Sequence, residues 1–274
     1  MMKRHSSTTA LCIALLLAGN IAGFGALIGH WIFEPGDETN DLTGNFPDLS
    51  LEGNATVSGG ALDVNGSGTN ATGWAYTTGG AGYTGPALTD KTLVSWVTLQ
   101  DLGVRAGSAL TIDRVNSDQF DGLIWAEMDA NRWMMGSNGF SRSPGGPGNQ
   151  QHFLGAANVG STDLIQLAYT YQDTGGGNVQ ITGYLDGVQI GQYNDNPLGS
   201  WLPGDAEVIF GKRHGNPAVT GPGGLDALIH EARIYDTVLS EGDIRGLRMV
   251  PEPAAPMLGL LGASLFLLRR RRRR

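Results

Sequence analysis

The sequence predicts an all-β fold, specifically a two-sheet antiparallel jelly-roll sandwich. Glycine accounts for 43 of the 274 residues, which is more than twice its usual share of roughly 7%. Short segments in which every second residue is apolar recur along the chain, and glycine-rich turns separate them. Nine or more short strands of this kind in one domain are typical of two packed antiparallel sheets.

The strand signal is clearest in the middle of the chain. In residues 92–99, Leu93, Val97 and Leu99 share one face while Val94 and Trp96 occupy the other. We therefore expect this strand to be buried on both sides. Similar patterns predict further strands over residues 27–33, 109–114, 122–127, 132–135, 164–173, 206–211 and 227–235.

Turn and helix signals lie between the strands. Asp186-Gly187 separates two short strands within residues 179–193 and is a strong hairpin signal, because a type I′ turn needs positive φ at both central positions. One helical turn is predicted over residues 239–247, with Ser240 capping its first amides and Asp243 reaching back. Residues 136–152 are too rich in Gly, Pro, Ser and Asn to pack, which predicts an exposed loop.

Residues 1–25 predict a secretory signal peptide. Lys3 and Arg4 precede an apolar run centred on residues 11–18, and small residues follow, in the order typical of such signals. An uncleaved membrane anchor is the alternative, although the run is shorter than the ~20 residues that a span needs. The single cysteine, Cys12, lies inside this segment, so the rest of the chain has neither a disulfide nor a thiolate site.

The charge of the remaining chain argues against nucleic acid as a partner. Residues 26–250 contain 10 Lys and Arg against 25 Asp and Glu. Binding to a phosphate backbone or to an anionic lipid surface depends on basic side chains. This part of the chain would be repelled by both.

Three segments carry a family signature. The first strand and loop contribute Trp31, Phe33 and Asp41, and residues 164–191 form a strand and hairpin that end in a Tyr-x-Asp-Gly turn. The most specific segment, residues 223–247, runs from a Glu-x-x-Ile-Tyr strand into a Leu-Ser helical turn. Together they resemble the laminin-G-like domains of the concanavalin A-like lectin/glucanase superfamily.

The resemblance implies a single sandwich domain over residues 27–249 and suggests calcium as a structural ion. Asp41 and Asp226 would supply carboxylate oxygens, with backbone carbonyls completing the six to eight that calcium prefers. The family usually has an aspartate immediately before the Glu of the last strand, and His230 stands there. The alternative is that both aspartates only cap turns.

The superfamily also contains glycoside hydrolases, which work with a pair of carboxylates. Glu127 and Asp129 are two residues apart, as such a pair would be, but Arg132 stands where the glucanase signature has its third carboxylate. Residues 129–131 are more simply a tight turn. Residues 212–214, Lys-Arg-His, could grip an anionic sugar or form a solvated strand end. We therefore expect no enzyme activity and no catalytic residue.

Binding of a polysaccharide or a surface protein is the expected function. A sugar site needs an exposed aromatic ring beside polar groups, usually on loops held by the sandwich. For each aromatic candidate, the alternative is a role in anchoring the core or a loop. A glycan-active enzyme and a purely structural matrix component are the alternative functions. The aromatic candidates are Trp125, Trp133, Phe140 and Trp201.

The C-terminal tail has three parts in a fixed order. It begins with a Val-Pro-Glu-Pro motif, continues with an apolar transmembrane segment over residues 254–268 and ends with six arginines. This order resembles the PEP-CTERM sorting tail, which an exosortase-type enzyme processes. The motif and the basic cluster comprise Val250, Pro251, Glu252, Pro253, Arg269, Arg270, Arg271, Arg272, Arg273 and Arg274.

This resemblance implies a route for the protein. The Sec machinery would export the chain, the tail would hold it at the inner membrane of a Gram-negative bacterium, and processing would release it to the cell surface or extracellular matrix. Fifteen apolar residues rise about 22 Å as a helix, short of a ~30 Å hydrocarbon core, while the arginines hold the C-terminus in the cytoplasm. A permanent single-span anchor is the alternative.

Overall fold

The computed structural model describes residues 25–77, 82–115, 119–135, 152–195, 198–215 and 223–250. Within these ranges the chain forms fourteen strands and one short helix. The elements are β1 Leu27–Trp31, β2 Leu49–Gly53, β3 Thr56–Ser58, β4 Ala61–Ser67, β5 Asn70–Thr77, β6 Lys91–Leu99, β7 Ser108–Arg114, β8 Phe120–Trp125, β9 Trp133–Met135, β10 Ile165–Gly175, β11 Asn178–Leu185, β12 Val188–Asp195, β13 Ala206–Phe210, β14 Ala227–Tyr235 and α1 Glu241–Gly246.

The strands form one antiparallel sheet that curls into two layers. Sheet A has the order β12-β11-β10-β6-β14, with β1 also paired to β14, and sheet B has the order β5-β13-β7-β8-β9, with β2 also paired to β5. Strand β4 connects the layers, because its first half pairs with β14 and its second half with β5. This arrangement confirms the all-β sandwich that the sequence predicts.

The alternating patterns fold as expected. In β6, Leu93 and Val97 enter the core between the sheets, while Val94 and Trp96 contact a second apolar cluster on the outer face of sheet A. The strand is therefore buried on both sides. The hairpin between β11 and β12 is also confirmed, with positive φ at Asp186 (51°) and Gly187 (73°).

The core between the sheets contains aromatic rings and one ion pair. Trp31 packs against Phe46 and Phe210 with ring centroids 5.5 and 5.6 Å apart. The ammonium of Lys91 on β6 lies 2.7 Å from a carboxylate oxygen of Asp121 on β8, and both side chains are fully buried. The two sheets are thus linked by a charged contact as well as by apolar packing.

Helix α1 covers part of the outer face of sheet A. Ser240 and Asp243 form the capping box that the sequence predicts, and Ile244 and Leu247 pack against Val94 and Trp96 of the sheet beneath. After the helix, the chain runs along β14 to residue 250, at the end of the described part.

The predicted targeting segments lie largely outside the described residues. The signal peptide over residues 1–25 is described only at Gly25, and the tail only at Val250. Within the described ranges, no helix combines the length and the apolar character that a membrane span requires. Phe140 and most of the predicted loop also lie outside these ranges.

Candidate functional site

The outer face of sheet B carries polar side chains in two neighbouring rows. Strand registers place Tyr76, Ile209, Thr111 and Gly122 in one row across β5, β13, β7 and β8. They alternate with the residues that point into the core, so they lie on the face turned away from sheet A. The glycine in this row lets the Thr111 hydroxyl pack close to β8, since a Cβ on Gly122 would lie 2.5 Å from the hydroxyl oxygen.

The next row holds two carboxylates. Glu207 on β13 lies directly opposite Asp113 on β7, and Asp113 lies opposite Phe120 on β8. Directly opposite residues on one face have Cβ atoms about 5 Å apart. We refer to Asp113 and Glu207 as the carboxylate pair, and their side chains are only 1% and 2% exposed.

The chain after β13 folds over this pair. Lys212 lies with its ammonium 5.7 Å from the centre of the Trp74 ring. The ring of His214 stacks on Phe120 at 4.3 Å with only 8° between the planes. The Gly215 amide then donates to Oδ2 of Asp113 at 3.1 Å. The segment from Lys212 to Gly215 thereby places a cation and two aromatic contacts around the carboxylates.

Burial shifts the ionisation of all three charged groups. Burial, with a smaller contribution from the charge of Glu207, raises the pKa of Asp113 to about 8. Burial raises the pKa of Glu207 to about 7, although Lys212 opposes the shift. Burial lowers the pKa of Lys212 to about 8 against the opposing effect of the two carboxylates. Near neutral pH, the group can therefore exchange protons and adapt its charge to a ligand.

Two buried oxygen atoms in this group lack a hydrogen-bond partner. They are Oε2 of Glu207 and Oγ1 of Thr111. Buried polar atoms are nearly always hydrogen-bonded, and an unsatisfied one costs about 1–3 kcal/mol. A ligand or water that donates to these atoms would recover that cost.

Comparison with known proteins establishes the family. Residues 84–245 match a model of a laminin-G-type family described as the concanavalin A-like lectin/glucanases superfamily. This match covers more than half of the chain. The chain belongs to the concanavalin A-like lectin/glucanase superfamily. No curated protein matches the sequence.

Solved structures share the concanavalin A-like fold at low sequence identity. Domain 4 of AbnA, a GH43 extracellular arabinanase from Geobacillus stearothermophilus, solved in complex with arabinotriose, has a TM-score of 0.56 and 17% identity over 82% of this chain and 98% of its own. The binding domain of botulinum neurotoxin serotype D/C has a TM-score of 0.50 and 13% identity over 80% of this chain and 50% of its own. At these identities the likeness concerns the fold.

Three of the aromatic candidates are core residues of the concanavalin A-like domain. Trp125, Trp133 and Trp201 are 0% exposed. Trp125 and Trp133 pack against each other with ring centroids 5.0 Å apart, and Trp201 lies 4.1 Å from the Lys91 ammonium. This burial contradicts the exposure that sugar stacking requires, and it favours the anchoring role that the sequence left open.

The two carboxylates near the β8–β9 turn bind different partners. Glu127 makes an ion pair with Arg213, and Asp129 lies 2.7 Å from the ring of His152. Positive φ at Ala126 (49°) and Asn131 (62°) reverses the chain there, which confirms the tight turn. The predicted Lys-Arg-His group is also divided, since Lys212 and His214 lie beside the carboxylate pair while Arg213 binds Glu127.

The structure does not bring the two predicted calcium ligands together. Asp226 immediately precedes β14, whereas Asp41 binds the amide of His30, whose strand partner Arg233 lies near the far end of β14. The oxygens of Asp41 also accept bonds from the amides of Asn45 and Phe46. They act as a turn cap and do not fit a calcium ion. The described residues contain no cluster of three or more His, Cys, Asp or Glu arranged for a metal.

Asp226 and His230, the other positions that the resemblance connected with calcium, make local contacts elsewhere in the sheet. The carboxylate of Asp226 lies in an acidic environment, and burial followed by the charges of Asp101 and Asp63 raises its pKa. His230 lies 3.2 Å from the Thr98 hydroxyl. Neither side chain reaches the Asp41 turn cap, so the residues that the resemblance suggested do not share a site.

Proposed function

We propose that this protein is an exported, non-catalytic polysaccharide-binding protein that holds its ligand on the outer face of sheet B. The observation that carries this proposal is the carboxylate pair, in which Oε2 of Glu207 lacks a partner, beside the partly exposed ring of Tyr76 on β5. Carboxylates accept hydrogen bonds from sugar hydroxyls, and aromatic rings suit the apolar faces of sugars. The arrangement lies on rigid strands, which favours a preformed site.

The comparisons support a carbohydrate ligand at the level of analogy. The AbnA domain was solved with arabinotriose, and it covers most of the present fold. The botulinum neurotoxin domain is named a binding domain. Fold alone does not determine function, so the proposal depends on the chemistry of sheet B.

A glycan array with the full-length chain, with and without a calcium chelator, tests the proposal. We expect binding to a defined set of polysaccharides, loss of binding in Glu207→Gln, and no effect of the chelator. Glu241→Gln serves as the matched control, because it removes the same charge from α1 on the opposite side of the sandwich. Binding to no glycan would reject the proposal in favour of a protein ligand or a structural matrix role.

The route to the surface is part of the same proposal. The signal peptide over residues 1–25 and the Pro-Glu-Pro tail support Sec export, brief anchoring in the inner membrane and processing by an exosortase-type enzyme. The basic residues at both ends of the chain suit a topology in which the ends face the cytoplasm and the domain between them lies outside. Fractionation of cells that express a Pro251-Glu252-Pro253 variant tests this route.

Glycan cleavage is a second candidate, and one observation favours it. Asp113 and Glu207 are neighbours on one face, and a Cβ separation of about 5 Å is compatible with the ~5 Å carboxyl separation of retaining glycosidases. The raised pKa of Asp113 would keep a proton available for the leaving group. Release of new reducing ends that is lost in both Asp113→Asn and Glu207→Gln would establish cleavage.

A further inference from the structure

We propose that the outer face of sheet A, where the described chain ends, docks on the phospholipid bilayer as long as the protein is anchored there. This inference rests on the proposed anchoring by the tail and specifies how the domain is oriented on the membrane. It arises from the position of Val250, from the short distance to the apolar segment and from the side chains around this point. The outer face of sheet B, on the opposite side of the sandwich, then points away from the membrane.

Hydrogen bonds fix the end of the described chain on sheet A. The Val250 amide donates to a carboxylate oxygen of Glu231 at 2.7 Å, and Arg233 donates to the carbonyl of Arg248 at 2.7 Å. Glu231 lies opposite Trp96 of β6, whose ring belongs to the outer apolar cluster of this sheet. The chain therefore leaves the described domain from the outer face of sheet A.

The distance from this point to the proposed membrane segment is short. Pro251, Glu252 and Pro253 are the three residues that separate Val250 from the apolar segment over residues 254–268. A chain spans at most about 3.6 Å per residue, so the Cα atoms of residues 250 and 254 lie within about 14 Å of each other in any conformation. The polar layer on each side of a bilayer is roughly 5–8 Å thick. An anchored domain therefore has this face at the membrane surface.

The length of the apolar segment brings the domain closer still. Its 15 residues rise about 22 Å as a helix, against a hydrocarbon core of ~30 Å. A short span is accommodated by local thinning of the bilayer or by flanking residues that enter the interface. Either adjustment reduces the space between the lipid headgroups and the domain.

The surface around Val250 has apolar side chains that suit the bilayer interface. A cavity of about 510 Å³ opens here between the start of β10 and residues 247–250. Its lining includes two exposed apolar side chains, Leu164 at 46% and Val250 at 44%, together with the half-buried Met249. A single exposed leucine is ordinary, but apolar side chains grouped beside the route to the membrane can enter the headgroup layer.

One arginine of the same surface can bind a lipid phosphate. Arg245 and Arg248 both line the cavity, and Arg245 is paired with Glu241. Arg248 donates only to two backbone carbonyls of its own segment, and no carboxylate in the described part of the chain pairs with it. The nearby carboxylate of Asp186 accepts a bond from the Gln166 amide. Since a guanidinium has five N–H donors, Arg248 retains donors for a phosphate.

The overall charge restricts docking to the anchored state. Residues 26–250 carry 10 basic against 25 acidic residues, so an anionic surface repels the free body. The anchor keeps this face beside the lipid at a high effective concentration, and a weak contact is then sufficient. The acidic remainder of the body is pushed outward, which favours the same orientation. Processing removes the tether, and the domain then leaves the surface.

Fluorescence quenching of the full-length chain in vesicles tests this orientation. The vesicles contain phosphatidylethanolamine, phosphatidylglycerol and a lipid that carries a nitroxide quencher on its headgroup. A fluorophore is attached through Leu164→Cys, in a Cys12→Ser background that leaves one labelling site. Ser50→Cys is the control, because Ser50 lies opposite Tyr76 on the outer face of sheet B. We expect several-fold stronger quenching at position 164 than at position 50.

Two further measurements assign the contact to this face. Arg248→Glu should weaken the quenching at position 164, because a carboxylate repels lipid phosphate, and Arg248→Lys should retain most of it. Neither variant alters the tail, so flotation with the vesicles should be unchanged. Circular dichroism checks that each labelled variant is folded. Photo-crosslinking from a headgroup-labelled lipid needs no substitution, and in the unaltered chain it should modify residues 241–250 and not β13.

The outcomes separate docking from the proposals on which it depends. Equal quenching at positions 164 and 50 in a chain that floats with the vesicles overturns docking and leaves the anchoring intact. Stronger quenching at position 50 overturns docking and turns the proposed glycan face toward the membrane. A chain that does not float overturns anchoring by the tail and docking with it. Unchanged quenching in Arg248→Glu overturns the phosphate contact, and glycan binding is decided separately by the array.

Discussion

Asp113 lies in the middle of sheet B, and burial, with the charge of Glu207, raises the pKa of its carboxyl from 3.8 to about 8. A group whose pKa is raised on folding contributes stability that is complete below the unfolded pKa and is lost as pH rises through the folded value. Glu207 acts in the same direction up to about pH 7. The lowered pKa of Lys212, about 8, reverses the trend only above that pH.

We therefore predict that the free energy of unfolding falls between about pH 4 and pH 8. Each group contributes a slope of at most about 1.4 kcal/mol per pH unit. Urea unfolding at intervals across this range measures the slope. Asp113→Asn, which imitates the protonated form, should flatten it, and Glu241→Gln should not. A slope that is the same in Asp113→Asn and the unaltered protein would contradict the burial of an ionisable carboxyl there.

Single residues show where sequence reasoning stops. Alternation places Trp125 two positions after Leu123 on the core side of β8, so the pattern contained the information that this tryptophan is buried. The pairing of Glu207 with Asp113 could not be predicted from such a pattern, because β13 and β7 are far apart in sequence. Only the strand register brings their side chains together.

At the scale of elements, the ion pair between β6 and β8 joins the two sheets. Lys91 and Asp121 are fully buried, so removing one partner leaves an uncompensated charge in the core. We predict that Lys91→Met lowers the free energy of unfolding by about 3–5 kcal/mol. The double variant Lys91→Met/Asp121→Leu should recover most of this loss, because apolar residues of similar volume replace a buried pair at little cost.

Denaturant unfolding of the two single variants and the double variant measures this coupling. The double-mutant cycle isolates the interaction from the effect of each side chain alone. Equal destabilisation in Lys91→Met and in the double variant would show that Lys91 acts through packing on Tyr171 and Trp201 rather than through charge.

A second element, the segment over residues 247–250, is held against β14 by hydrogen bonds. We call this segment the strap. Glu231 accepts a bond from the Val250 amide at 2.7 Å, and Arg233 donates to the carbonyl of Arg248 at 2.7 Å. The same carboxylate lies 2.6 Å from the ring of His30. These contacts hold the chain on the domain up to the residue before the Pro-Glu-Pro motif.

We predict that Glu231→Ala releases the strap. Amide hydrogen exchange at Val250 should accelerate by roughly tenfold to a hundredfold, since a hydrogen bond to a charged group is worth about 1.5–3 kcal/mol. Exchange in β10 should stay unchanged. If Val250 exchanges equally fast in the unaltered protein, the strap is not held in solution.

Most elements could be predicted from the sequence, because each depends on local patterns. The capping box of Ser240 and the Asp186-Gly187 turn are examples. The alternating apolar pattern of strand β5 is weak in the sequence, since its core-facing positions are Ala71, Gly73 and Ala75. A Cβ on Gly73 would lie 2.6 Å from the amide nitrogen of Ala55, so close backbone approach, rather than a large apolar side chain, determines that position.

At the scale of the whole molecule, the sequence predicts two sheets, whereas the structure shows how one curled sheet makes both. Strand β4 belongs to the two layers at once. Such sharing leaves no periodic signature, because the pattern of a strand reports which residues are buried and not which neighbours they pair with. The outer face of sheet B arises from this long-range pairing.

The last prediction concerns the C-terminal tail. Replacing Pro251, Glu252 and Pro253 by alanine leaves the apolar segment over residues 254–268 and the six terminal arginines intact. Insertion depends on hydrophobicity and orientation on the basic cluster, so the variant should still reach the membrane with its acidic body outside. Without the motif it should remain there at full length, whereas we expect the unaltered protein to be released with a shortened C-terminus. Replacing the arginines by lysines preserves the charge and serves as the control for topology. Membrane fractionation followed by mass measurement of the C-terminus decides the result. Retention of both proteins at full length would indicate a permanent anchor, and equal release of both would indicate a route that does not read the motif.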